Sequence, residues 1–396
     1  MPTPAITQVE RPAPVALSRR WKTAFVVFVA LGALVFAGGL ALDPVRAWHD
    51  YLVGYFLFVG FSLFGLFFTA LHHAVNAKWW IVTRRVAEGL TAALPVALVL
   101  FVILILGLRC LYPWATGEEF HQTSKQAYLS PLWFSVRGIV FLVIWILFAR
   151  RLVSLSLKQD RTGEPRLSRT MLVWSVVFLP IFAGTFSLTC FDLLMSLQPH
   201  WYSTLFGVYG FAGLFQSGLA LLTILFILMK RQGALAEVAT PSHLKDLGTL
   251  VFAFTIFMTY IGFSQFMLIW YANLPEETTF FIRRSQGGWE LLFLALPVLK
   301  FAVPFFGLLS QALKMKEKWL LTVCTVVLVG QYCDVYWLVM PTASEVIVPI
   351  GWMEVGTLLG FVGLFGLATA RFYSRHAALA YRDPRILQSV NWRFWE

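Results

Sequence analysis

Charge is what this sequence has least of. Charged residues make up 13% of 396 positions, against 59% hydrophobic ones. A soluble domain carries roughly a quarter charged residues, so the chain has too little polar surface to face water on all sides. Cysteine is also scarce: Cys110, Cys190, Cys324 and Cys333 are the whole set. None forms C-x-x-C or C-x-x-C-H, which excludes a c-type haem attachment and an iron–sulfur ligand run. Most of them read as buried structural thiols. Histidines number 7, and only His72 and His73 fall in or at an apolar run. His49 sits at a loop, His121 and His200 on one side, and His243 and His376 on the other, so the paired ligands of a haem b between helices are missing. No phosphate-binding glycine loop, zincin motif or Ser/His/Asp arrangement is present. No cofactor bound covalently or by metal ligands is expected. No cleavable leader is read either: the Pro-rich polar start runs straight into a full-length apolar segment.

What the sequence has is long apolar runs. Ten are long enough to cross hydrocarbon, near 22–42, 50–72, 87–108, 131–151, 170–193, 204–229, 247–271, 289–312, 319–340 and 349–371. None alternates as a barrel strand does, so an all-α polytopic membrane protein is predicted, with tails at 1–21 and 373–396 around a membrane domain at 22–372. Of the Lys and Arg residues, 24 fall in one set of alternate loops and 6 in the other, with Lys300 alone inside a span. That asymmetry places both termini in the cytoplasm and explains the net charge of +11 without nucleic acid. Trp79–Arg85 is expected to lie along the inner surface. Tyr112, Trp114, Tyr128 and Trp133 read as an outer aromatic belt. In the last tail, Trp392, Phe394 and Trp395 with Arg382, Arg385 and Arg393 read as docking on lipid, ahead of a partner subunit.

Charge inside a span marks a functional site unless it sits at a helix end and reaches water. His72, His73 and Glu88 lie near the inner edge, where a solvated helix end competes with proton uptake. Arg137 and Asp192 lie in neighbouring spans near the outer side and are expected to form a structural ion pair. Lys300 is the sharpest signal, roughly 16 Å deep at 1.5 Å per residue from Trp289. Asp334 and Glu354 lie within about two turns of the outer surface. With Gln331, Tyr336 and Glu345 close in sequence, Lys300, Asp334 and Glu354 suggest a proton relay.

One outer corner is Phe191 to Tyr209, FDLLMSLQPHWYSTLFGVY; another is Phe263 to Thr278, FSQFMLIWYANLPEET. With ten spans and inner termini, these corners resemble the NrfD-like membrane subunits of the polysulfide-reductase type. More narrowly, they resemble the second such subunit of alternative complex III, a bacterial quinol:cytochrome c oxidoreductase. The likeness covers essentially the whole membrane region. It implies two four-helix bundles, about 50–193 and 204–340, related by inverted symmetry, with the first and tenth spans peripheral. It implies a bacterial cytoplasmic membrane and as partners a sister NrfD-like subunit, an iron–sulfur protein, multihaem and monohaem cytochromes c and, further out, a terminal oxidase. In the family, quinol oxidation is assigned chiefly to the sister subunit, and this subunit is suspected of conducting protons. The groups His72, His73, Glu88 and Lys300, Asp334, Glu354 are then candidates for two half-channels.

Three functions follow as expectations. The first is a non-redox subunit of such a complex that passes protons and docks its redox partners. The second is a quinone or quinol site of its own, built from Asp192 with His200 or from Asp334 with Tyr336. A secondary transporter is the most remote, since Pro95, Pro180, Pro297 and Pro304 do not break matched helices in the two halves. In the outer loop, Trp270 and Tyr271 read as interfacial anchors and Asn273–Leu274–Pro275 as a helix stop. Glu276 and Glu277 are expected to pair with Arg283 and Arg284, fixing a partner-docking loop or a proton exit below Glu354.

Overall fold

In the computed structural model, residue 6, residues 12–117 and residues 123–393 are described; Arg11, His121, Phe394 and Trp395 lie outside them. Among the described residues there is no β-strand, and ten helices are long and apolar enough to span a membrane. They are α1 (Arg19–Leu42), α2 (Pro44–Ala74), α3 (Ile81–Leu106), α4 (Pro131–Thr162), α5 (Arg166–Leu197), α6 (Phe206–Arg231), α7 (Pro241–Ala272), α8 (Trp289–Gly307), α9 (Glu317–Thr342) and α10 (Trp352–Tyr373). The protein is an all-α, multi-pass membrane protein, and the expected spans all fall on these helices. The Lys/Arg-rich side is called inner below, and the opposite side outer.

Local chemistry sets many of the boundaries. Pro44, Pro131 and Pro241 open α2, α4 and α7, where a missing N–H costs nothing. Asp43 caps α2 by accepting from the Arg46 amide at 3.1 Å. Asn273 ends α7 in the left-handed region at φ 49°, a conformation its short polar side chain tolerates.

Packing produces two rings. In the first, α2, α3, α4 and α5 pack in sequence and α5 closes back on α2. In the second, α6, α7, α8 and α9 do the same, and α9 closes on α6. The rings meet through α2, α5, α6 and α9, while α1 and α10 pair with each other and lean on α2. Surrounded in this way, α2 is buried on nearly every face. The α1–α10 seam needs glycine: a Cβ on Gly32 would lie 2.4 Å from Gly360 Cα.

Three expectations about the edges fail. Trp80 to Arg85 do not lie on the inner surface; all six are fully buried at the start of α3. Tyr112 and Trp114 do not join a lipid belt. They turn inward and donate to Leu193 O at 2.9 Å and Ser196 O at 3.1 Å, whereas Tyr128 and Trp133 stay exposed. The described part of the last tail docks on its own protein, while Phe394 and Trp395 lie outside the described residues. Trp392 Nε1 donates to Asp246 at 2.7 Å, Ser389 Oγ to Trp79 O at 2.6 Å, and Asn391 exchanges hydrogen bonds with Ile6. Buried hydrogen-bonding groups at the inner ends of α3 and α7 offer that tail more than headgroups do.

Candidate functional site

Lys300 lies where α8 stops being an ordinary α-helix. Residues Val298–Ala302 form a π turn directly after Pro297, a device that breaks the regular ladder. Pro304 has no N–H to offer the Lys300 carbonyl four residues earlier. Gln216 of α6 takes that place: its Nε2 donates to Lys300 O at 2.8 Å and to Thr255 Oγ1 of α7 at 2.9 Å. One side chain thus ties three helices of the second ring at the depth of the charge.

The Lys300 side chain points to α9. Its Nζ is 2.5 Å from Asp334 Oδ2 and 2.8 Å from Gln331 Oε1. The other Asp334 oxygen accepts from the Tyr209 hydroxyl of α6 at 2.5 Å. Lys300 and Asp334 are only 5% and 1% exposed. The approach of α6 depends on Gly213, whose added Cβ would lie 3.2 Å from Lys300 Nζ and 3.0 Å from Gln331 Oε1. Lys300, Asp334 and Tyr209 form the polar end of a cavity of about 340 Å³ between α7, α8 and α9. Its other walls are mostly apolar and largely aromatic, with Phe206, Phe266, Phe280, Phe293 and Trp337 among them and Thr259 and Gln265 as the polar exceptions. The volume lies within the roughly 300–1,000 Å³ range of small-molecule sites.

Glu354 does not belong to this group. It pairs with Arg46 of α2, Nε to Oε1 at 2.7 Å, and its other oxygen accepts from the Gly351 amide at 2.8 Å to cap α10. Tyr336 also turns away from Lys300 and donates to Val348 O at 2.9 Å. The expected line of Lys300, Asp334 and Glu354 is therefore two separate sites, because Asp334 and Tyr336 face different neighbours of α9.

The inner group is a closed ion network rather than a solvated helix end. Glu88 accepts from Arg84 Nε at 2.9 Å and Arg85 Nη1 at 2.5 Å. Arg85 also pairs with Asp160 of α4, and Arg84 binds Asp383 of the tail at 2.6 Å. Arg385 closes on Asp383 at 3.0 Å. Burial pushes the Asp383 carboxyl up, but the hydrogen bonds and charge of Arg385, with the charge of Arg84, leave it below the ordinary carboxylate range. His72 donates from Nδ1 to Phe68 O at 2.8 Å, and His73 packs edge-on against Trp80 with its Nε2 unbonded among the described residues. These groups do not touch Lys300.

At the outer side, Arg137 grips Asp192 with both arms, at 3.0 and 2.9 Å, and lies over the Tyr128 ring. The cavity beside Asp192 is only about 20 Å³, and His200 is exposed. Glu276 is exposed and Glu277 half-buried in the first turn of the short helix Pro275–Arg283, where the helix dipole favours them. They do not pair with the arginines. Arg283 lies 4.0 Å from Glu345, and Arg284 is buried at 1% exposure. Arg284 donates to the carbonyls of Trp337, Leu338 and Phe280 and to Gln198, with Phe280 stacked 3.7 Å from its guanidinium. It thereby fixes the outer end of α9 and the roof of the cavity.

Sequence reasoning missed Tyr209 as the partner of Asp334, Gln216 as the partner of the Lys300 carbonyl, Asp383 as the partner of Arg84 and Asp160 as the partner of Arg85. The spacing of Arg84 and Arg85 to Glu88, four and three residues, was a readable helix-face signal. The other contacts join distant helices and carry no local signature. Comparison with family models and with characterised proteins returns no match, so the likeness to NrfD-like subunits rests on the two corner sequences and the ten spans.

Proposed function

We propose that the chain is a membrane subunit of a quinol-oxidising electron-transfer complex of the NrfD-like kind, and that the pair Lys300–Asp334 handles protons for it. The observation that carries this reading is a buried lysine–aspartate pair at 2.5 Å, with Tyr209 on the second carboxylate oxygen, bordering an apolar cavity. A buried pair with one cation and one anion exchanges protons with little change in net charge. The aspartate accepts a proton as the lysine or a neighbour releases one. Structural pairing alone does not require a cavity at the same place. The partners that fit this reading are haem- and iron–sulfur-bearing subunits, with a sister membrane subunit alongside; among the described residues no cluster of metal-ligating side chains is found. A bacterial cytoplasmic membrane is the matching location. A tagged chain isolated from its native membrane should bring down c-type haem, visible in a reduced-minus-oxidised spectrum. Isolation free of haem and iron would refute membership of such a complex.

The cavity favours a second reading, a quinone headgroup in this subunit. Aromatic walls suit the ring, and Tyr209 with Asp334 supplies a hydroxyl and a carboxyl at its polar end. Asp192 with His200 is the poorer choice, because about 20 Å³ beside Asp192 leaves no room for a ring. Tyr209 replaces Tyr336 as the hydroxyl partner. A photoreactive quinone should label α7 or α8 near Phe266 and Phe293; labelling confined to other subunits would remove this reading and leave the first intact.

A further inference from the structure

Most buried charge in this protein is balanced one for one. Arg84, Arg85 and Arg385 face Glu88, Asp160 and Asp383; Lys300 faces Asp334; Arg137 faces Asp192. At the outer ends of α2 and α10 the balance fails. Glu354 and Asp50 are 1% and 4% exposed and lie side by side, and Arg46 is the cation described beside them.

The hydrogen bonding is unequal too. Both Glu354 oxygens are engaged, one by Arg46 and the other by the Gly351 amide. Neither Asp50 oxygen receives a hydrogen bond from any described donor, although both are shut off from water. The other groups facing the pair bring no positive charge. Asp43 adds an anion and takes the Arg46 amide. His49 turns its Nδ1 to Val45 O at 2.8 Å. Tyr336 donates to Val348 O, and Tyr332 stacks on Tyr336. An ionised carboxylate with no donor, set against a second carboxylate, is among the costliest groups to bury, and a proton between the two removes that cost.

We propose that Asp50 and Glu354 hold one proton between them at neutral pH and form a second proton-exchange site at the outer face. The Arg46 side chain is 26% exposed, so one side chain separates the pair from outer water. Release breaks the O–H bond of the shared acid, sends the proton past Arg46, and leaves both carboxylates of the pair ionised against one guanidinium; rebinding removes the added negative charge. This inference stands apart from the role given to Lys300 and Asp334, since the two sites share no side chain.

Infrared spectroscopy of the full chain in lipid vesicles, compared between H₂O and D₂O, reads protonated carboxyl groups by their C=O stretch. The wild type at pH 7 is expected to show such a band, and Asp50→Asn to lose a component of it. Glu354→Gln should shift that component, because the proton then rests on Asp50 alone, without the carboxylate that shares it. Glu276→Gln, on the exposed loop, should change nothing. Should Asp50→Asn fail to insert, Glu354→Gln still reads the shared proton. A wild type without the band, or a band that neither substitution alters, overturns the proposal.

Discussion

At the inner end of the first ring, six charged side chains bind one another across α3, α4 and the last tail. In the middle of the second ring, Lys300 and Asp334 bind one another and border about 340 Å³ of largely apolar space. Both regions bury charge at net balance, yet they are built for different ends. In the first, Arg84 and Arg85 each engage two carboxylates, so moving a proton there would unbalance several bonds together. In the second, the pair has one partner per charge, a hydroxyl and an amide in reserve, and room beside it. Connectivity fixes the first region in place, whereas the second has fewer bonds to break and open space beside it.

The largest expected effect breaks the first region. Glu88→Ala leaves Arg84 and Arg85 without their shared anion and should cost about 3–5 kcal/mol, the usual penalty for removing one partner of a buried ion pair. Thermal unfolding of the purified protein measures it, and a wild-type midpoint would show the network to be ornamental. Next is Lys300→Met. Asp334 can take up a proton and keep Tyr209, so the cost falls to the ~1–3 kcal/mol of unmet hydrogen bonding. Adding Asp334→Leu should recover most of that stability without restoring proton transfer. If Lys300→Met instead destabilised as much as Glu88→Ala, the distinction between the two regions would collapse.

Smaller changes sharpen the contrast. Gly213→Ala presses on Lys300 Nζ and Gln331 and should cost about 1 kcal/mol, the low end of overpacking, while lowering turnover more than stability suggests. The tail should respond to acid. Asp383 is held below its unfolded value, near 3.9. Its contribution is thus complete above that value and lost as pH falls through the lower folded one. Protease access to residues around 385 should rise in that acidic window and not on the alkaline side. Glu276→Gln, on an exposed turn, should stay within ~0.5 kcal/mol of wild type.

What the sequence made legible follows the range of each interaction. Ten spans were readable because apolar continuity is local. Lys300 was readable because a cation in the middle of an apolar run is conspicuous, and Asp334 lies on the very next helix. The neighbour of Glu354 was not: Arg46 comes from 308 positions away, on a helix that packs on α10 only in the folded chain. Asp383 reaches Arg84 across 299 positions, so a tail that looked lipid-bound proved to complete a buried network. Arg284 misled for a different reason. Its position beside Glu276 and Glu277 suggested surface pairing, but free carbonyls at the end of α9 are a stronger attraction for a buried guanidinium.

Proton stoichiometry in the reconstituted complex tests most directly whether chemistry resides at Lys300 and Asp334. Asp334→Asn keeps the shape and the Tyr209 contact but removes the titrating carboxyl. Electron transfer to the acceptor is expected to continue while protons moved per electron fall well below wild type. An unchanged ratio would contradict a proton-handling role for the pair.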